Sequence, residues 1–237
     1  MSFLTAAWRQ LAFINYEVDP ALLEPYVPHG TELDFYEGKC YVSVIAFMFM
    51  DTRIKGVKIP FHVNFEEVNL RFYVRRKDGG VWKRGAVFIK EVVPKPAISI
   101  VANALYNESY ETLPMRHKWD ITSEDRKISY GWKKDNKWQS IDIEAAVASQ
   151  PIDQHSEMEF IAEHYWGYAS PSKVKTNEYE VTHPRWNHYP IKKATFDIKF
   201  ETMYGAKFSF LQAQEPASIY LIEGSAITIE GKTVIKK

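Results

Sequence analysis

Three hydrogen-bonding side chains of different kinds, Glu67, Asn69 and Arg71, stand at alternate positions of the segment Phe65-Glu66-Glu67-Val68-Asn69-Leu70-Arg71-Phe72-Tyr73-Val74. In an extended chain alternate residues share a face, so at roughly 3.3 Å rise per residue the three would stand about 6.6 Å apart. Arg71 would clamp a carboxylate or phosphate through two parallel hydrogen bonds. Glu67 would work as an acid or a base if burial raised its pKa. The same row has two plainer readings. It is either a Glu–Arg network tying neighbouring strands together or the wet face of a surface strand. The choice depends on whether the row faces a cavity, where unpaired polar groups are costly unless a partner meets them.

The segment itself reads as a β-strand. Val68, Leu70, Phe72 and Val74 make its other side apolar, and Phe65 and Tyr73 bracket the polar row. Asp78-Gly79-Gly80 turns it into a second strand, Val81 to Val93. Pro94-Lys95-Pro96 then starts a helix that runs to about Leu105. Tyr106-Asn107-Glu108-Ser109-Tyr110 ends that helix, and Tyr106 and Tyr110 are candidates for the mouth of a cavity or for surface aromatics.

Upstream, Trp8 to Tyr16 reads as a strand. Asp19 caps a short helix with Pro20 at its first position. Glu32 to Tyr36 and Cys40 to Met50 read as a hairpin around Glu37-Gly38-Lys39. Asp51 to Val63 is a longer connection that would suit a lid. Downstream, Met115 to Thr122, Lys127 to Lys134 and Lys137 to Glu144 make a meander. Ser156 with Glu159 forms a capping box for a helix to about His164. Lys173 to His183, Ala194 to Lys199 and Ser218 to Glu230 read as strands. Strands outnumber helices and do not alternate with them, so the fold class is α+β, dominated by an antiparallel sheet or barrel. No linker, repeat or low-complexity tract divides the chain, so residues 1–237 read as one domain.

Composition excludes several functions. The formal net charge is zero, with 30 basic and 30 acidic residues, so no basic field exists to hold a nucleic acid. The basic runs at Arg75–Lys77 and Lys133–Lys137 read as solvated turns. The apolar run Tyr41 to Met50 is too short to span a bilayer as a helix. One cysteine, Cys40, allows no internal disulfide and fits the cytoplasm. The first residues lack the pattern of a secretory signal. No phosphate loop, nucleophile elbow or zinc spacing occurs; His183, which with His188 flanks Pro184 to Asn187, reads as a locally packed side chain and His164 as a structural one. Neither a metal nor a cofactor is expected. The aromatic share, 15%, suits a β-rich core or an apolar ligand cavity.

The order of these pieces resembles the YqjF-like family of uncharacterised bacterial proteins, related in fold to acetoacetate decarboxylase. The resemblance rests on Leu11-Ala12-Phe13-Ile14-Asn15-Tyr16, the stretch Leu22 to Asp34, and Gly38-Lys39-Cys40-Tyr41-Val42-Ser43-Val44. It continues through Glu67-x-Asn69-x-Arg71-x-Tyr73-Val74 to Glu223-Gly224-Ser225. It implies a cone-like antiparallel barrel with a few outer helices and an internal cavity. It also implies Schiff-base chemistry through a lysine whose pKa a cationic neighbour lowers. The place where that lysine would follow the helix reads Leu105 to Tyr110 and holds none. Lys95 and Lys118 fall outside the motif.

Three functions follow as expectations. The first is a cytoplasmic barrel that binds a small organic acid or an aromatic metabolite, as a binder or an enzyme, at Glu67, Asn69, Arg71, Tyr106 and Tyr110. The second is a structural or interaction module without a ligand. The third is an acetoacetate decarboxylase-like lyase. The sequence names neither the ligand nor the oligomeric state.

Overall fold

The structure, a computed structural model, describes residues 2–236. In chain order the elements are β1 (Leu4–Val18), α1 (Pro20–Leu23), β2 (Glu32–Leu33), β3 (Cys40–Ile54), β4 (Phe65–Asp78) and β5 (Val81–Val93). Next come α2 (Pro96–Tyr106), β6 (Tyr110–Thr112), β7 (Met115–Ile121), β8 (Arg126–Lys134), β9 (Lys137–Ala145) and β10 (Gln150–Pro151). The last part holds α3 (Glu157–Ala162), β11 (Trp166–Ser172), β12 (Lys175–Thr182), β13 (Asn187–Tyr189) and β14 (Ile191–Asp197). The chain closes with α4 (Phe200–Tyr204), β15 (Ser218–Ile222), β16 (Ala226–Ile229) and β17 (Thr233–Lys236). The molecule is therefore mostly β, with few and short helices.

Two sheets form. In the larger, β3 pairs antiparallel with both β1 and β4, and β4 with β5. From β5 a parallel step leads to β11, and antiparallel steps then run through β12 and β16 back to β1. The smaller sheet has the order β14-β9-β8-β7.

Strands β1, β3 and β4 are buried on both faces, which is why Cys40 to Phe49 is one apolar run rather than an alternation. On one face Ile14, Val44, Leu70 and Phe72 pack with Trp132 and Ile143 of the smaller sheet and with Phe200 and Met203. On the other face Phe13, Ile45, Phe47, Phe65 and Tyr73 pack with Phe160, Trp186 and Ile227. Each such side chain contributes roughly 1.5–3 kcal/mol on burial. The two packed faces hold β4 in one register, and a slip of one residue would exchange its polar row with its apolar one.

Local signals explain the helix starts. Asp19 accepts a hydrogen bond from the Ala21 backbone N–H at 2.9 Å, with Pro20 at the first position. Ser156 Oγ accepts from the Glu159 N–H at 3.1 Å, as the capping pattern requires. α3 stops at Ala162 instead of reaching His164, because Glu163 leaves the helical region at ψ 61°.

Other expectations need correction. Glu32 to Tyr36 is not the first arm of a hairpin with β3: only Glu32–Leu33 is strand, and it pairs with β4. Glu37 and Gly38, at φ 48° and 78°, do make a tight turn, but it closes a single Tyr36–Lys39 bridge. The chain bends away at Asp34, whose carboxylate accepts from Arg84 Nε at 2.6 Å. Ser218 to Glu230 breaks into β15 and β16 at Gly224. There φ is 78° and a Cβ would collide with the Trp8 carbonyl oxygen. Arg76 is not solvated: it pairs with buried Glu178 at 3.0 Å, as does Lys83. β6, β10, β11, β13, β17, α4 and the short 3-10 turns went unread.

Candidate functional site

β4 sets the site. Its polar row faces inward: Glu67 is 3% and Asn69 2% exposed, which removes the wet-surface reading. Two adjoining chambers lie against this face. The outer has a volume of about 360 Å³ and the inner about 70 Å³, and Phe49, Glu67, Glu91, Tyr110, Tyr179 and Ile229 line both. The outer chamber is mainly apolar, walled by such residues as Phe3, Ile54, Phe65 and Ile98, with Ile59 and His62 of the 51–63 connection contributing. The inner chamber contains Asn69, Arg71 and His164.

All five residues expected at the site line these chambers: Tyr106 the outer, Asn69 and Arg71 the inner, Glu67 and Tyr110 both. Tyr110 therefore stands deeper than an entrance, at the boundary between the two.

The ladder explains the grouping. Asn69 of β4 lies opposite Glu91 of β5, and Glu91 lies opposite Tyr110 of β6. Asn69 Nδ2 donates to Glu67 Oε1 at 3.0 Å, and the Tyr110 hydroxyl donates to Glu67 Oε2 at 3.1 Å. Tyr110 is fixed in turn by Asn103 of α2, which accepts from its N–H at 2.8 Å and donates to its carbonyl at 3.0 Å. α2 ends where Asn107 adopts the left-handed conformation, φ 62°, and Asn177 Nδ2 donates to the Tyr106 carbonyl at 2.7 Å. The Tyr106 ring meets Tyr179 edge to face at 5.2 Å.

Arg71 does not pair with Glu67. Its Nη2 donates to the Ile161 carbonyl at 3.2 Å, and its guanidinium lies 5.5 and 5.3 Å from the rings of Phe13 and Tyr73. Among the described residues it has no ion-pair partner, and its Nε has no hydrogen-bond partner. The row is thus not a Glu–Arg network. Asn69 Oδ1, Glu91 Oε2, His164 Nδ1 and Trp8 Nε1 are also buried without a partner, and these four residues line the inner chamber.

Burial dominates the electrostatics. It pushes Glu67 up to about 7 against the opposing hydrogen bonds from Asn69 and Tyr110 and the charge of Arg71. Glu108, which accepts from the Tyr179 hydroxyl at 2.9 Å, is pushed up to about 8. Glu91 rises well above the carboxylate range, through burial first and then the nearby Glu108 and Glu67. Burial likewise raises the hydroxyls of Tyr110 and Tyr179. A carboxyl that titrates near neutrality beside a hydrogen-bonded phenol can take up or deliver a proton at physiological pH.

A second polar group supports the inner wall. Arg84 Nε donates to Asp34, and the buried His164 ring stands 3.6 Å from Asp34 Oδ2 and stacks on Tyr73 at 4.5 Å. Burial lowers His164 to about 4, so it stays neutral at pH 7. Among the described residues no cluster of three or more His, Cys, Asp or Glu is arranged to hold a metal ion. Among the described residues no lysine lines either chamber; Lys95 is half-buried at the N-cap of α2 and Lys118 is exposed.

Sequence reading missed Glu91, Glu108 and Tyr179. Glu108 lay within the quoted Tyr106–Tyr110 segment and needed only its neighbour across the chamber. Tyr179 is admitted by Gly167, its partner in the ladder, where a Cβ would collide with the ring.

The fold, with its inward acid-lined strand, is of the acetoacetate decarboxylase-like type. Superposition on acetoacetate decarboxylase from Legionella pneumophila gives a TM-score of 0.64 at 13% identity, covering 98% of this chain and 86% of the other. The enduracididine biosynthesis enzyme MppR with HEPES buffer bound gives 0.68 at 10% identity, over 100% and 89%. An acetoacetate decarboxylase-like enzyme from Sphingomonas wittichii RW1 gives 0.62 at 12% identity, over 100% and 94%. At such identities the likeness concerns the fold alone. Residues 5–226 match the family described as DUF2071, uncharacterized conserved protein, and the chain belongs to that family. The uncharacterized protein YqjF of Bacillus subtilis (strain 168) is 26% identical over 218 residues, 90% of this chain and 85% of that protein.

Proposed function

We propose that this chain is a small-molecule-binding protein whose ligand is a small organic acid with an apolar or aromatic body. The carboxylate sits in the inner chamber on Arg71, and the body fills the outer chamber. The observation that carries this reading is Arg71: a half-buried guanidinium with no ion-pair partner among the described residues, lining a chamber with several other unpartnered polar atoms. An unpaired charge held away from water is costly, and a bound carboxylate offsets that cost. We read the circuit of strand pairings from β1 through β3, β4, β5, β11, β12 and β16 as the wall of a barrel around these chambers, within one domain.

A known structure of this fold bears on the ligand. MppR has been solved complexed with pyruvate, at a TM-score of 0.66, so the fold accommodates a small keto acid in that protein. In this chain Schiff-base chemistry lacks its lysine. Any reaction would rest on Glu67 and Tyr110 moving a proton. A cytoplasmic location fits the lone, buried Cys40, and zero net charge fits a protein without nucleic-acid or membrane partners.

The test is a thermal-shift titration of the wild type and Arg71→Met with 3-phenylpropanoate and a set of 2-oxo acids. At a hundred times its Kd, a ligand stabilises the folded state by about 2.7 kcal/mol. Arg71→Met should abolish that shift. If no acid raises the wild-type melting temperature, the reading fails and a structural role for the chambers replaces it.

A further inference from the structure

Arg71 is not the only unpaired group in the chambers. Glu91 is 3% exposed, lines both chambers, and has Oε2 without a hydrogen-bond partner. It faces Asn69 across the ladder, one step along the face from Arg71 and one from Glu67. Asn69 Oδ1, on a residue 2% exposed, is a second unpartnered acceptor there. The inner chamber therefore offers a cationic donor at one end and unpartnered acceptors at the other. At about 70 Å³ it is much smaller than the outer chamber, which suits a compact polar head there and a larger body outside. Among the described residues the outer chamber adds no lysine or arginine; besides His62, Glu108, Tyr106 and Thr52 its added wall is apolar.

Building on the organic-acid reading, we infer that the ligand is an α-amino acid with a large apolar side chain: carboxylate on Arg71, ammonium on Glu91 beside Asn69, side chain in the outer chamber. Arg71 and the carboxyls sit at different positions of one face and do not neutralise each other, so each can meet its opposite on the ligand. Asn69, between them, turns its unpartnered carbonyl oxygen to the ammonium while its amide stays on Glu67. A bare carboxylic acid would leave Glu91 Oε2 and Asn69 Oδ1 unmet, and a bare amine would leave Arg71 without a carboxylate. Sites built around hydrogen-bonding groups reject analogues that leave those groups unmet.

The ammonium needs an ionised carboxyl, so binding is coupled to proton release. The groups around it are Glu67 and Arg71 of β4, Glu91 of β5, Glu108, Tyr110 of β6, Tyr179 of β12, Trp8 of β1 and His164; His62 stands in the outer chamber. With the carboxyls raised by burial, affinity for the amino acid should strengthen from pH 6 to pH 8. The change should approach tenfold per pH unit where one proton leaves.

The experiment is calorimetric titration at pH 7.5 with L-phenylalanine, L-tryptophan, 3-phenylpropanoate and 2-phenylethylamine, on the wild type, Glu91→Gln and Arg71→Met. The two amino acids should bind at least tenfold more tightly than either truncated analogue. Glu91→Gln should weaken phenylalanine at least tenfold and leave 3-phenylpropanoate within threefold. A thermal melt of each variant confirms folding, and proton release measured in two buffers of different ionisation enthalpy provides a readout on the wild type alone. If 3-phenylpropanoate binds as tightly as phenylalanine, the amino-acid inference is overturned and the organic-acid reading stands. If neither acids nor amino acids bind, both fall. If the amine binds as tightly as the amino acid, the role of Arg71 is wrong and both fall again.

Discussion

Replacing Glu67 by glutamine should flatten the pH dependence of stability. Burial raises Glu67 to about 7 in the folded state, against an ordinary value of 4.5. Between those values the folded protein binds more protons than the unfolded chain, so stability falls as pH rises. The group costs nothing below about pH 4.5, and its penalty grows as pH approaches 7. At pH 7 a shift of this size corresponds to about 3 kcal/mol, at 1.36 kcal/mol per unit. In Glu67→Gln the new side chain keeps a carbonyl oxygen for Asn69 and turns an amide toward the Tyr110 hydroxyl, which then accepts. The variant should therefore lie within about 1 kcal/mol of the wild type near pH 5 and exceed it by about 3 kcal/mol near pH 7.5, or on the order of 6–12 °C in Tm for a chain of this length. Urea denaturation at pH 5.0, 6.0, 7.0 and 7.5 measures it. Parallel stability curves for the two proteins would show that Glu67 ionises freely in the fold and would refute the burial argument.

Two further outcomes follow from packing. Gly167→Ala places a Cβ against the Tyr179 ring, which must move and release Glu108. Overpacking of this kind costs roughly 1–3 kcal/mol, and near-UV circular dichroism should report the displaced tyrosine. Asp34→Ala leaves Arg84 and His164 beside an empty place in a buried network, so a loss of roughly 3–5 kcal/mol is expected in denaturant unfolding, whereas a loss below about 1 kcal/mol would show the pair to be dispensable.

The strand and its two contrasting faces were legible because the pattern is strong, while which way the polar face turned was not. Four apolar residues on one side and Glu67, Asn69 and Arg71 on the other leave little choice of register once both faces are covered. The helix starts at Asp19 and Ser156 were legible for the same reason, since each is a local hydrogen bond written in the residue type. Glu91 was not, and a bulge explains why. Leu70 pairs with Lys90 and Arg71 with Phe88, so Ile89 is an extra residue in β5. Counting by twos from Trp82 puts Ala86 and Phe88 inward, whereas counting back from Val93 puts Glu91 inward. Only the bulge lets both Phe88 and Glu91 line the inner chamber. Tyr179 was hidden differently. It reaches the cluster from β12, far downstream of Tyr110, and its place depends on the bare backbone of Gly167, which no local pattern announces. The false hairpin at Glu32 came from a correct turn at Glu37-Gly38, overruled by the ion pair that draws Asp34 toward Arg84.

The spacing within β4 decides what the row can do. Glu67 and Arg71 lie four residues apart, roughly 13 Å along the strand, too far for their side chains to meet unless both lean inward. Arg71 leans the other way, held by the Ile161 carbonyl and by the rings of Phe13 and Tyr73. Glu67 is held at the opposite end by Asn69 and Tyr110. Had the two closed on each other, the guanidinium would have pulled Glu67 below its ordinary range, whereas desolvation wins and takes it to about 7. Asn69 therefore acts as a spacer, committing its amide to Glu67 and leaving its carbonyl oxygen unmet beside an unmet Glu91. A network serving only to join strands gains nothing from keeping its cation and its carboxyls apart, because each separation leaves a buried group unsatisfied at roughly 1–3 kcal/mol. A floor that receives a ligand bearing both charges recovers that cost on binding.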